Sequence, residues 1–209
     1  MTDTRALARE ERAELAAFLA TLAPEDWDAP TLCSAWTVRD VVAHVIGYDW
    51  QGIGGFLGNL ARAGFSGDRA NQRVVDSMRG LDPAALVDLV RRYETPEGLT
   101  ALFGHRIALV DGAIHQQDIR RPLRRPREIP AERLRAILDF AMVSPPIRAF
   151  VRTRGLRLVA TDLDWSSGRG PEVTGPGEAV LMAAAGRADA LDELDGPGRA
   201  TLAGRLTRP

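Results

Sequence analysis

Apolar residues return at helical spacing through most of the first 142 positions of this chain, and after "SPPIRAF" that spacing gives way to alternation. This change of period constrains the fold more than any other feature. Successive amphipathic helices must bury their apolar faces against one another, whereas an alternating segment asks for a small sheet. In the first stretch, Arg5 to Leu22, the face made by Leu7, Leu15, Phe18, Leu19 and Leu22 opposes one carrying Arg5, Arg9, Glu10, Arg12 and Glu14. A linker with Pro24, Asp26, Asp28 and Pro30 comes next, and Trp27 and Trp36 bracket the approach to a second helix. There "TVRD" predicts a cap, with Thr37 at the N-terminus and Asp40 in the first turn. That helix runs from Val38 into "YDWQGIGGFLGNLARAGF", whose glycines loosen or bend it. Asp82-Pro83 opens another helix through Tyr93, a long helical segment covers Leu99 to Ile119, and Pro130 opens Ala131 to Met142 after the proline-broken loop "RRPLRRPREIP". Beyond it, "GLRLVATDLDW" alternates as a strand, "SSGRGPEV" is turn chemistry and "VTG" returns as a second strand, with two short helices after it. The predicted architecture is mainly α: an all-helical domain of four main helices over residues 1–150, then a small α+β domain over 151–209.

Composition narrows the functional classes. With 209 residues, 45% of them apolar and 26% charged, the chain can bury a core without a disulfide or metal staple. Net charge is −1, so no global field advertises a nucleic-acid or membrane partner. All 27 basic residues are arginine. The single cysteine, Cys33, excludes an intramolecular disulfide and fits a reducing compartment. The first twenty residues are too charged for a signal peptide, and no apolar run approaches the roughly 20 residues of a membrane span. A cytoplasmic location is the expectation; monomer and homodimer both stay open.

Only three histidines occur, and their neighbours separate them. In "LVDGAIHQQDIRRPL", His115 lies roughly 40° around the helix from Asp111, and Asp118 roughly 20° the other way, so the three form one stripe. It adjoins an apolar face of Phe103, Ile107, Val110 and Ile114. His44 interrupts "VVAHV" at the margin of Val41, Val45 and Tyr48. His105 is roughly 120° off the stripe and reads as a surface residue. A carboxylate and an imidazole one turn apart can hold one divalent cation from the same side, and a second imidazole from a facing helix would make three ligands with positions left open. The same residues are also compatible with a solvated i, i+4 pair and a hydrogen-bonded core histidine.

"PTLCSAWTVRDVVAHV", "DGAIHQQDIRRPL" and the tail "LRLVATDLDWSSGRGPEVTGPGEAVLMAAAGRADALDELDGPG" resemble the mycothiol-dependent maleylpyruvate isomerase family, within the DinB-like superfamily of metal-binding four-helix bundles. The resemblance implies a DinB-like bundle, a divalent metal, typically zinc, on His44, Asp111 and His115, and mycothiol as thiol cofactor. The family is known with glutamate at the carboxylate position, and Asp111 shortens that reach by one methylene. Asp118 would orient an imidazole or a ligating arginine; its alternative is an ion pair with Arg120 or Arg121. Trp36, Tyr48 and Trp50 flank the site implied by the resemblance, where Trp36 and Tyr48, with Asp118, would border the cofactor; Trp36 and its neighbours also serve as core or helix-staple residues. Because mycothiol supplies the sulfur, Cys33 is expected to pack near the helix entry rather than to act as a catalytic nucleophile. The implied activity is isomerisation or thiol S-transfer on a small electrophilic substrate; the rival is a non-catalytic DinB-like protein that binds a metal or small ligand.

Overall fold

The computed structural model describes residues 2–207 and divides into two compact units, Met1–Pro126 and Arg127–Pro209. In the first, helices α1 (Thr4–Leu19), α2 (Val38–Arg62), α4 (Pro83–Arg92) and α5 (Arg106–Arg120) form a closed ring in which α1 packs on α4 and α5 and α2 does the same. A fifth helix, α3 (Gly67–Met78), lies against α2. The apolar stripe of α1 is buried as its spacing requires: Leu15 and Leu19 join Val38, Val41, Val42, Val45 and Ile46 of α2 and Leu86 and Val90 of α4 in one core. Burying such side chains supplies about 1.5–3 kcal/mol each.

Not every residue on the predicted polar face of α1 meets water. Arg12 is 3% exposed and its guanidinium donates to Asp49 Oδ2 at 3.2 Å, with a further bond to the Tyr93 carbonyl. Asp49 in turn accepts from the Glu97 amide and the Thr100 hydroxyl. A buried charge persists only when paired and hydrogen-bonded, and this network ties α1 and α2 to the loop before α5.

Helix α2 starts where the cap predicts, with Asp40 Oδ2 accepting from both the amide and the hydroxyl of Thr37. Gly52, at φ 62°, interrupts its helical geometry before it resumes toward Arg62. Helix α3 has no counterpart among the helices expected from the periodicity. It approaches α2 at Gly47, where a Cβ would stand 2.1 Å from Val74 Cγ1. The predicted Leu99–Ile119 helix begins only at Arg106, because Phe103, Gly104 and His105 all take left-handed backbone conformations. Phe103 is consequently 71% exposed, outside the apolar face expected to include it.

The expected boundary near residue 150 falls inside the second unit, which already begins at Arg127. Helix α6 (Ala131–Ala141) shares the core of that second unit: it packs on α8 (Gly177–Ala184), and its Asp139 accepts from the Trp165 indole at 2.8 Å. The change of period marks a change of local structure, whereas core membership is decided by what a helix packs against. Strands β1 (Arg157–Ala160), β2 (Trp165–Gly168) and β3 (Glu172–Gly175) form a sheet of order β2-β1-β3, antiparallel in the first pair and parallel in the second. Short helices α7 (Ala149–Arg152) and α9 (Arg199–Leu206) complete this mainly α chain with its small sheet. Among the described residues no helix is long and apolar enough to cross a membrane.

Candidate metal centre

Helices α2 and α5 are neighbours in the ring, and this adjacency turns two separate sequence patterns into one cluster. His44, only 5% exposed, faces α5 from the second turn of α2. Asp111 and His115 sit one turn apart on α5, as the angular arithmetic requires. Asp111 Oδ1 lies 3.5 Å from His115 Nε2 and 4.0 Å from His44 Nε2, and the two imidazoles meet edge to face with ring centroids 4.8 Å apart. One donor atom from each residue lies within 4.8 Å of the other two.

These residues fit a divalent cation. Ligands about 2.0–2.1 Å from a tetrahedral ion stand about 3.3 Å from one another, and Asp111 Oδ1 already lies 3.5 Å and 4.0 Å from the two Nε2 atoms. Two nitrogens and one carboxylate oxygen are a ligand set for zinc and similar metals, and three protein ligands leave a coordination position open. The shorter carboxylate of Asp111 still reaches both rings.

The next turn of α5 sets the tautomer. Asp118, fully buried, has Oδ2 2.9 Å from His115 Nδ1, which holds a proton there and leaves Nε2 to face Asp111 and His44. Asp118 thus touches the imidazole on the Nδ1 side, away from Asp111. Arg120 is turned to α1, stacked over Phe18 and near Glu14. The ring carries a strong proton affinity: burial disfavours its charge, but Asp111, then hydrogen bonds to Asp118 and Cys33, push its pKa up to about 10.

Cys33 packs against the core beside the entry to α2, as expected, and it also meets the cluster. Its thiol donates to Asp118 Oδ2 at 3.2 Å and lies 3.7 Å from His115 Nδ1. It arrives there because the loop before α2 is strapped to the end of α5: the Leu32 amide donates to the Asp118 carbonyl, and the Thr31 hydroxyl binds the Trp36 carbonyl. The neighbours of Cys33 lie 82 and 85 positions away in the chain, so no local pattern could have disclosed them.

Aromatic rings wall the cluster. Trp36 packs on His44 at 4.8 Å between centroids, and Tyr48 meets it edge-on at 5.4 Å. The Tyr48 hydroxyl donates to Asn71 Oδ1 at 2.6 Å. Burial, and secondarily the charge of Asp111, raise its pKa well above the ordinary phenol value, so it stays a protonated donor. Trp50 does not join this wall; it lines a separate groove with Met78, Leu81 and Leu89. Asn71, and Gln72 which accepts from the Trp36 indole at 3.0 Å, are contributed by α3. Their bonds to Tyr48 and Trp36 span 23 and 36 positions, so no local pattern discloses them.

Residues 8–126, more than half of the chain, match the family described as mycothiol maleylpyruvate isomerase N-terminal domain. The chain belongs to this family. The family domain ends where the first compact unit ends, at residue 126, and contains every residue of the cluster. Two solved structures share the overall fold at 18% identity: the crystal structure of the mycothiol-dependent maleylpyruvate isomerase, with a TM-score of 0.61, and that of a His-to-Ala mutant of it, with 0.60. Each alignment covers 93% of this chain and 91% of the other. No curated protein matches.

Proposed function

We propose that this mycothiol maleylpyruvate isomerase family member is a metal- and mycothiol-dependent enzyme acting on a small electrophile by cis–trans isomerisation or thiol transfer, with His44, Asp111 and His115 holding the metal, zinc for preference. The observation that carries this reading is the convergence of two imidazole nitrogens and one carboxylate oxygen from neighbouring helices, with a coordination position left over. A divalent cation held there would supply the Lewis acidity that keeps a bound thiol deprotonated near neutral pH.

The chain's own residues prepare that chemistry. Asp118 keeps the His115 proton on Nδ1 and so presents Nε2 to the ligand set; Cys33, donating to the same carboxylate, helps fix it. Trp36 and Tyr48 shield the His44 ring from water, and the protonated Tyr48 hydroxyl is held on Asn71. Sulfur comes from mycothiol. Its thiolate adds to an electron-poor double bond, the resulting single bond rotates, and elimination re-forms the alkene and releases the thiol unchanged. Displacement of a leaving group by the same thiolate gives transfer instead. Maleylpyruvate, the substrate named for the structural neighbours, is the first compound to try.

Elemental analysis of wild type beside His44→Ala and His115→Ala tests the assignment. Stoichiometric metal in the wild type and at least a tenfold loss in both variants is expected; equal metal in all three proteins refutes it. Mycothiol-dependent turnover of maleylpyruvate, abolished in the same variants, tests the activity.

A further inference from the structure

Gln51 stands on the side of α2 that carries His44 and Tyr48. Positions 44, 48 and 51 are i, i+4 and i+7, and the helical geometry breaks only afterwards, at Gly52. The Gln51 side chain is half-buried, and its Nε2 is shut off from solvent with no hydrogen-bond partner among the described residues. A carboxamide nitrogen carries two N–H donors, and burying them unused costs free energy. Buried polar groups are otherwise almost always paired, so an orphan on the helix face of a candidate reaction centre calls for a ligand.

A second carboxamide offers donors at the same level. The Tyr48 phenol stays protonated, because burial and then the charge of Asp111 disfavour its anion. Its 2.6 Å bond to Asn71 therefore runs from the hydroxyl to Oδ1, which fixes the orientation of the amide and turns Nδ2 elsewhere. Among the described residues no acceptor is bonded to that Nδ2. The chain reverses between α2 and α3 over residues 63–66, so these two packed helices run antiparallel. Val74 stands where a Cβ on Gly47 would meet it. Asn71, one turn before Val74, is thus across from Gln51, one turn after Gly47.

We propose that Gln51 and Asn71 form a thiol-selecting subsite that donates hydrogen bonds to uncharged oxygen atoms in the sugar portion of the thiol cofactor. The inference rests on the reading of the His44 cluster as the place where a metal holds the thiol. Seven helical residues advance about 10 Å, so a ligand with its sulfur at the cluster must reach that far along α2 to meet Gln51. A short thiol falls short of it; mycothiol, whose cysteinyl thiol is carried on a sugar joined to a cyclitol, is long enough. Both donors are neutral, which suits hydroxyl and amide oxygens, whereas carboxylates are best met by paired charged donors. Selection follows from what stays unpaired: a thiol without these oxygens leaves the buried amide unused.

The test is calorimetric titration of mycothiol, and of N-acetylcysteine amide, which keeps the thiol end without the sugars. Both go into wild type, Q51M, N71D and H44A, each incubated with zinc. Q51M puts an apolar chain of like length in place of the amide, and N71D keeps the acceptor for Tyr48 while removing Nδ2. Wild type is expected to bind mycothiol at least tenfold more tightly than the short thiol, and that ratio should fall at least fivefold in Q51M and in N71D, with metal content as in wild type. In urea, ligand-free Q51M should unfold at or above the wild-type midpoint, because an unpaired amide stabilises nothing there; a lower midpoint marks a glutamine bonded within the fold and overturns the proposal. So does a wild type that binds both thiols alike or neither, or a preference that survives in either variant. H44A binding both thiols as wild type does would overturn the metal–thiol reading while leaving a Gln51-dependent preference standing, so the two failures are distinguishable.

Discussion

Metal binding to the His44–Asp111–His115 cluster should remain steeply pH-dependent well above neutrality. In the metal-free protein burial opposes charge on His115, but Asp111, Asp118 and Cys33 outweigh it and the ring's pKa is pushed up to about 10. An ordinary histidine loses its proton near 6.5, so a site of ordinary histidines would stop responding above about pH 7.5. Here a cation must displace a proton from His115 throughout the neutral and mildly alkaline range. At pH 7 a group with that pKa is neutral in roughly one molecule in a thousand, which lowers apparent affinity roughly a thousandfold from its alkaline limit, about 4 kcal/mol. Competition with a chromophoric chelator from pH 7 to 9.5, corrected for the chelator's own protonation, should show affinity rising about tenfold per pH unit. Calorimetry in buffers of different ionisation enthalpy should count about one proton released per cation. An affinity that is flat above pH 7.5 refutes the reasoning, because it would mean that the ring is already neutral. The same raised pKa sets the sign for the metal-free protein. Its proton-linked stabilisation is complete below the unfolded value near 6.5 and is lost as pH rises through about 10, so the urea midpoint in chelator should fall across that window.

The buried carboxylates give two further outcomes. Asp118→Ala removes the acceptor at 2.9 Å from His115 Nδ1 and should weaken metal binding about 10–100-fold, with a shifted visible spectrum in the cobalt-loaded protein; an unchanged spectrum would mean that Asp118 does not orient the ring. Asp49→Ala leaves Arg12 buried without its carboxylate and should destabilise the fold by about 3–5 kcal/mol in urea unfolding.

Much of the candidate metal cluster is legible in the sequence. Helical angle alone puts Asp111, His115 and Asp118 in one stripe, since i, i+4 and i, i+7 on a helix cannot point apart, and the apolar margin around His44 says which way that ring must face. Family resemblance then pairs the two segments. Other features are less legible because their causes are not local. Helix α3 is itself locally encoded, since Ser66 caps it and Ala70, Val74, Val75 and Met78 recur at helical spacing. What its residues do not announce is that Asn71 and Gln72 bond Tyr48 and Trp36. The late start of α5 has a similar origin: Phe103 and His105 adopt left-handed conformations without being glycine, and nothing in their identity announces it.

Sequence periodicity by itself determined that this chain is mainly helical, where α1, α2, α4 and α6 begin to within a few residues, and that Asp111, His115 and Asp118 share one side of α5. Those properties depend on residues a few positions apart, whose geometry the backbone dictates. Tertiary structure alone decided that α6 joins the second unit, that Arg12 finds a buried carboxylate, that Cys33 bonds Asp118, and that the donor atoms of His44, Asp111 and His115 come within 4.8 Å of one another. Each depends on which helix packs beside which, a choice made by the summed burial of whole faces that no short stretch of residues encodes.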